Sequence, residues 1–82
     1  MEKTEKTKNI CLSELRVGEA ARVEKIDMPP HYRLRLVDLG FGAGAEVVCL
    51  GKGPLGDPSA YLARGRILAI RRKDAEKIKC VI

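Results

Sequence analysis

Eighty-two residues, 45% of them apolar and 33% charged, are enough for one small domain, since chains split into separate cores only at much greater length. Such a chain buries roughly 60% of the surface its unfolded form exposes, which excludes whole-chain disorder and argues against a large enclosed catalytic cleft. Sixteen Lys and Arg against eleven Asp and Glu leave a formal charge of +5, interspersed along the whole length. That excess alone does not choose among RNA, DNA, anionic lipid, an acidic protein face and a plain solvated surface.

Residues 1–9 alternate Lys, Glu and Thr with nothing apolar after Met1, which predicts a polar, poorly ordered tail ahead of a domain over 10–82. No secretory signal is read there, and no apolar run approaches the roughly 20 residues that span a bilayer, so direct membrane insertion is not expected. Leu12-Ser13-Glu14-Leu15 reads as one helical turn with Gly18 marking its exit. Glu19 to Ile26 then alternates as a half-buried strand, with Ala21 and Val23 on one face and Arg22 and Glu24 on the other.

Pro29-Pro30 ends this strand and can open a helix, because a first helical turn needs no amide donor there. Tyr32 to Gly40 fits a strand by alternation. The leading prolines, the closing Gly40 and the shared face of Tyr32, Leu36 and Leu39 favour a helix, with Leu36 and Leu39 as core residues. Phe41 reads as a core plug, and Gly42-Ala43-Gly44 as a turn. Ala45 to Leu50 is a strand whose Val48 and Leu50 make both faces partly apolar, as in a strand buried on two sides or at a barrel corner.

Gly51 to Ser59 holds three glycines and two prolines, hence a constrained loop in which Asp57 can accept hydrogen bonds from loop amides. Ala60 to Arg64 and Ile67 to Arg71 form a hairpin around Gly65-Arg66. Lys73 to Lys77 makes a single helical turn with Asp74 as its N-cap, and Lys79 to Ile82 is the last strand. About five short strands with one real helix after the first of them predict a mainly β fold, a small, partly open β-barrel.

At this level the chain resembles the FeoA family, small SH3-like proteins encoded beside the ferrous iron permease FeoB. The likeness rests on Leu12-Ser13-Glu14-Leu15-Arg16-Val17-Gly18-Glu19, on Arg35 to Val47 with its Leu39-Gly40-Phe41-Gly42, on Pro54-Leu55-Gly56-Asp57-Pro58, and on Ala69 to Ala75 with the terminal strand. Four such segments in order cover nearly the whole predicted domain. The chain departs from the family at Gly65-Arg66, where an aromatic residue is common, and in its polar start. The resemblance implies an SH3-like barrel in the cytoplasm of a bacterium that takes part in iron homeostasis, acting by protein-protein interaction with an FeoB-type permease at its G-protein domain or membrane portion. It also implies a likeness to the C-terminal modules of iron-dependent repressors. The winged-helix domain of those repressors has no counterpart among these residues, so a stand-alone role is expected.

Candidate contact residues are Leu55, Gly56 and Asp57 on the constrained loop, with Arg33 and Arg35 on the helix. Leu55 either stands exposed at a loop tip or folds back onto the barrel. Gly40, Gly44, Pro54, Pro58 and Gly65 read as structural turn positions. Cys11, Cys49 and Cys80 are odd in number and widely spaced, which suits neither a disulfide framework nor a paired metal-ligand motif, so with His31 they form no expected metal site. Cys49 and Cys80 read as buried thiols.

Arg64, Arg66, Arg71 and Arg72 suggest a nucleic-acid surface, but the three aromatic residues Phe41, Tyr32 and Tyr61 supply no stacking platform, so none is expected. His31 has no nucleophile at a recognisable spacing, Gly51-Lys52-Gly53 is no phosphate loop, and no carboxylate pair stands out. Neither catalysis nor a cofactor is expected.

Overall fold

Alternating apolar side chains along each strand close one face of a bent antiparallel sheet over a single core. The computed structural model describes residues 8–82. In chain order it contains β1 (Asn9–Cys11), a 3-10 turn (Leu12–Glu14), β2 (Ala20–Ile26), α1 (Pro30–Asp38), β3 (Glu46–Lys52), a second 3-10 turn (Pro54–Gly56), β4 (Ser59–Ala63), β5 (Arg66–Ile70), α2 (Arg72–Ala75) and β6 (Ile78–Val81). The strands pair in the order β1-β6-β2-β3-β4-β5, every pair antiparallel. β1 and β5 are therefore the two edges of an incompletely closed barrel.

Six strands stand where five were expected, and the helix follows the second strand, not the first. The additional strand is β1. Asn9 lies inside the segment read as a tail, yet it pairs with Val81, and Lys8 and Ile82 exchange backbone hydrogen bonds at 3.4 and 2.9 Å. Only Ile10 and Cys11 carry apolar character there, too short a run for periodicity to register. Residues 1–7, the rest of that expected tail, lie outside the described residues.

The core takes Ala21 and Val23 from β2, Val47 and Cys49 from β3, Tyr61 and Ala63 from β4, and Ile78 and Cys80 from β6. Leu12 and Leu15 of the first turn and Phe41 after α1 are fully buried and plug the barrel. Each such side chain contributes roughly 1.5–3 kcal/mol relative to exposure. Tyr61 Oη donates to the Leu12 carbonyl at 3.3 Å, which fastens the first turn across the barrel to β4. Register shifts at Val23/Lys25 and Cys49/Gly51 bend the sheet around this core. Of the two readings of β3, burial on both faces fails at Leu50, which is 42% exposed, and the register shift at Cys49/Gly51 fits a strand turning a barrel corner. The bulge beside it turns the strand so that only Val47 and Cys49 reach the interior.

Gly40 stops α1 in a left-handed conformation with φ of 93°, and a Cβ there would meet Arg64 Cβ at 3.2 Å. The helix end is thereby brought against the β4–β5 turn. Gly44, Gly56 and Gly65 also have positive φ. That last turn is Arg64-Gly65, and Arg66 already belongs to β5. α1 contains no buried residue. Tyr32 is exposed, while Leu36 and Leu39 are half-buried against the core's margin, so the helical face predicted to enter the core instead lies along its rim.

Candidate partner-binding site

The Gly51–Ser59 segment presents Leu55 to solvent with 95% of its surface exposed. Its backbone leaves no room for looseness. Pro54 opens the second 3-10 turn, and the Gly53 amide donates to the Pro58 carbonyl at 2.8 Å and closes the loop base. Leu55 itself has φ of 60°, the left-handed region that costs a β-carbon-bearing residue about 1–2 kcal/mol. A strained, exposed leucine of this kind is retained by its surroundings and not by its own packing.

The surroundings are α2. Asp57 Oδ1 accepts from the Arg72 amide at 3.0 Å, and Arg72 Nη2 donates to the Leu55 carbonyl at 3.0 Å. Asp57 thus satisfies the first amide of a short helix distant in sequence, not an amide of its own loop. This arrangement also displaces the expected N-cap: α2 begins after Arg71, Asp74 is its third residue, and the capping carboxylate comes from Asp57. Gly56, between Leu55 and Asp57, has φ of 77° and completes the reversal.

On the other side of α2 runs an open groove of about 300 Å³. Arg35 lines it with Met28, Tyr32, Leu36, Leu39 and Leu68, and Arg71 and Asp74 close one end. Arg33 does not line it; its Nη1 reaches the Met28 carbonyl at 3.5 Å. Arg72 and Lys73 face the depression beside Leu55, whereas Arg71 and Asp74 face the groove. The expected contact residues therefore form two patches divided by α2. Sequence reading weighed Arg71 and Arg72 only for a nucleic-acid surface and missed Met28, because nothing in local spacing ties residue 57 to 72 or residue 28 to 68.

The cysteines behave as core atoms. Cys49 and Cys80 are fully buried and Cys11 is partly so. Burial, and secondarily the nearby Cys11, pushes the Cys80 thiol up to about 11, which keeps it protonated at neutral pH. Burial likewise raises the Tyr61 hydroxyl, against a lowering hydrogen bond with Ser59. His31 stacks on Tyr32 at 4.2 Å on the exposed start of α1. Among the described residues no three His, Cys, Asp or Glu side chains gather as a metal would require. No helix among the described residues is long and apolar enough to cross a membrane.

A small antiparallel barrel with one rigid, apolar-tipped loop and a groove beside its single long helix defines an SH3-like module. The model of the FeoA domain matches residues 10–81, and the chain belongs to the FeoA family. A relative from Porphyromonas gingivalis, an Fe(2+) transport protein A/Fe(2+) transporter FeoB fusion protein, is 32% identical over 68 residues. Those residues are 83% of this chain and 8% of the fusion protein's length. The solution structure of FeoA from Chlorobium tepidum is 41% identical with a TM-score of 0.84, over 89% of this chain and 70% of that one. FeoA from Stenotrophomonas maltophilia, solved with zinc and described as an SH3 domain protein, is 32% identical with a TM-score of 0.73, over 87% and 88% of the two chains. T. acidophilum IdeR shares the fold alone, at 20% identity and a TM-score of 0.75, over 98% of this chain and 37% of its own.

Proposed function

We propose that this chain is a cytosolic, non-catalytic accessory protein of ferrous iron uptake that docks on an FeoB-type permease and its G-protein domain. The observation that carries this reading is the relative in which transport protein A and transporter FeoB share one polypeptide. A fusion holds two modules at high effective concentration, an arrangement suited to modules that act on one another.

The surface supports the same reading. Leu55 is an apolar anchor on a loop already ordered by Asp57 and Arg72, so little conformational freedom is lost when a partner covers it. Arg33 and Arg35 on the exposed face of α1 supply a second, charged contact. No group on this surface is set up for bond-making: the sole histidine stacks on Tyr32 at an exposed helix start, and the Cys80 thiol is buried and protonated.

The test is titration of the purified chain against the soluble G-protein domain of an FeoB-type permease, with and without guanine nucleotide. Saturable binding that weakens at least tenfold in Leu55→Asp is expected, and a nucleotide-dependent affinity would assign the contact a regulatory role. Unchanged affinity in Leu55→Asp removes the loop from the interface. No binding to the G-protein domain or to the whole permease sinks the reading.

A further inference from the structure

We propose that the free edge of β5 and the facing side of α1 form a receptor for an extended acidic segment, which adds to the sheet as a further strand. The groove is lined by Leu68, Ala69 and Ile70 in succession. Side chains on a strand alternate between faces, so Leu68 and Ile70 turn one face of β5 to the groove with Ala69 between them, and the strand they belong to is an edge of the sheet. β5 pairs with β4 through all five of its residues, and no strand among the described residues pairs with its other side. Its outward amides and carbonyls are therefore paired with no strand among the described residues, on a strand that lines the groove.

The opposite wall is helical. Tyr32, Arg35, Leu36 and Leu39 follow i, i+3, i+4, i+7 spacing and present one stripe of α1 to that edge. Tyr32 is 52% exposed. Proteins commonly blunt an edge strand with lysine, proline or a covering element. β5 has neither lysine nor proline, and α1 stands off from it across the open groove. That geometry suits strand addition, in which backbone hydrogen bonds supply affinity and alternate side chains find apolar pockets.

Charge selects the occupant. Two arginines line the groove, Arg35 on α1 and Arg71 directly after β5. The carboxylate lining it is Asp74. A strand with apolar residues toward Leu36, Leu39 and Met28 and acidic residues toward Arg35 and Arg71 matches both walls. This names the partner's chemistry for the docking role proposed above and rests on that reading only for which protein supplies the segment.

The experiment is a nitrogen-15 NMR titration of the full chain with a synthetic ten-residue peptide alternating Glu with Val and Leu. Its controls are the same peptide with Lys for Glu, and one N-methylated at alternate amides. We expect shifts centred on 66–70 and 32–39 with slowed amide exchange in β5, at least tenfold weaker binding of the Lys peptide, and loss of binding on N-methylation. The double variant Arg35→Glu with Arg71→Glu changes exposed residues only and should reverse the preference between the Glu and Lys peptides. Shifts confined to the Leu55 loop, equal binding of both peptides, or occupation of β5 by a second copy of the chain in place of the peptide would overturn the proposal. Binding of the G-protein domain without binding of the acidic peptide would overturn the groove and leave the docking role standing; the reverse result would do the opposite.

Discussion

The inside of the barrel and its α1 side are built from the same residue types to opposite ends. Inside, Leu12, Leu15, Phe41, Val47 and Ile78 are sealed from water, and even the cysteines act as packing atoms. Along α1, β5 and the Leu55 loop, five large apolar residues, Tyr32, Leu34, Val37, Leu55 and Ile67, remain exposed on elements held in place by backbone hydrogen bonds and, at the loop, by Arg72. Leucine in the first region holds the fold together. In the second it contributes little to the fold and is available to a partner.

The sharpest way to break that contrast is to remove a plug. Phe41→Ala should lower stability by about 3–5 kcal/mol, a large share of what a small domain possesses, read as a collapse of the urea midpoint. A loss below about 1 kcal/mol would mean that Phe41 is not the keystone its burial implies. Next in size is a pH effect. Cys80 titrates near 9.0 when unfolded and at about 11 when folded, so above pH 9 the unfolded chain gives up its proton first. The stability from keeping the thiol neutral is complete below pH 9 and is lost as pH rises to 11, by about 2 kcal/mol. Cys80→Val should flatten this part of the pH profile, measured by urea denaturation at pH 8, 9.5 and 11; an unaltered slope would assign it to Tyr61, whose hydroxyl burial also raises.

Smaller effects sharpen the contrast from the recognition side. Asp57→Ala strips the cap from α2 and should cost about 1 kcal/mol, with faster amide exchange at Arg72 as its local signature. Leu55→Gly relieves the left-handed strain and should raise stability by up to about 1 kcal/mol while weakening permease binding. Opposite movement of stability and affinity at one residue is the mark of a side chain kept for contact. If both fall together, Leu55 belongs with the core.

Much of the barrel was legible because its signals are local. Alternation in Ala20–Ile26 and Glu46–Lys52, prolines before Tyr32 and Gly40 after Leu39 each act within one turn or one strand. β1 was not legible, since three residues at Asn9–Cys11 become a strand only through β6, some seventy residues on. The site was half legible: the loop's rigidity follows from its glycines and prolines, and its outward leucine was one of two open readings.

By itself, then, the sequence determined the mainly β class, the helix, the turn positions and the buried thiols, through steric and hydrophobic preferences that operate between near neighbours. Only the tertiary structure decided that Asp57 caps a helix fifteen residues away, that Tyr32 and Leu36 line a groove and not a core, and that β5 is left as a free edge. Those outcomes depend on which strands pair and in what order. Pairing is chosen by burial summed over the whole barrel, a quantity no single segment carries.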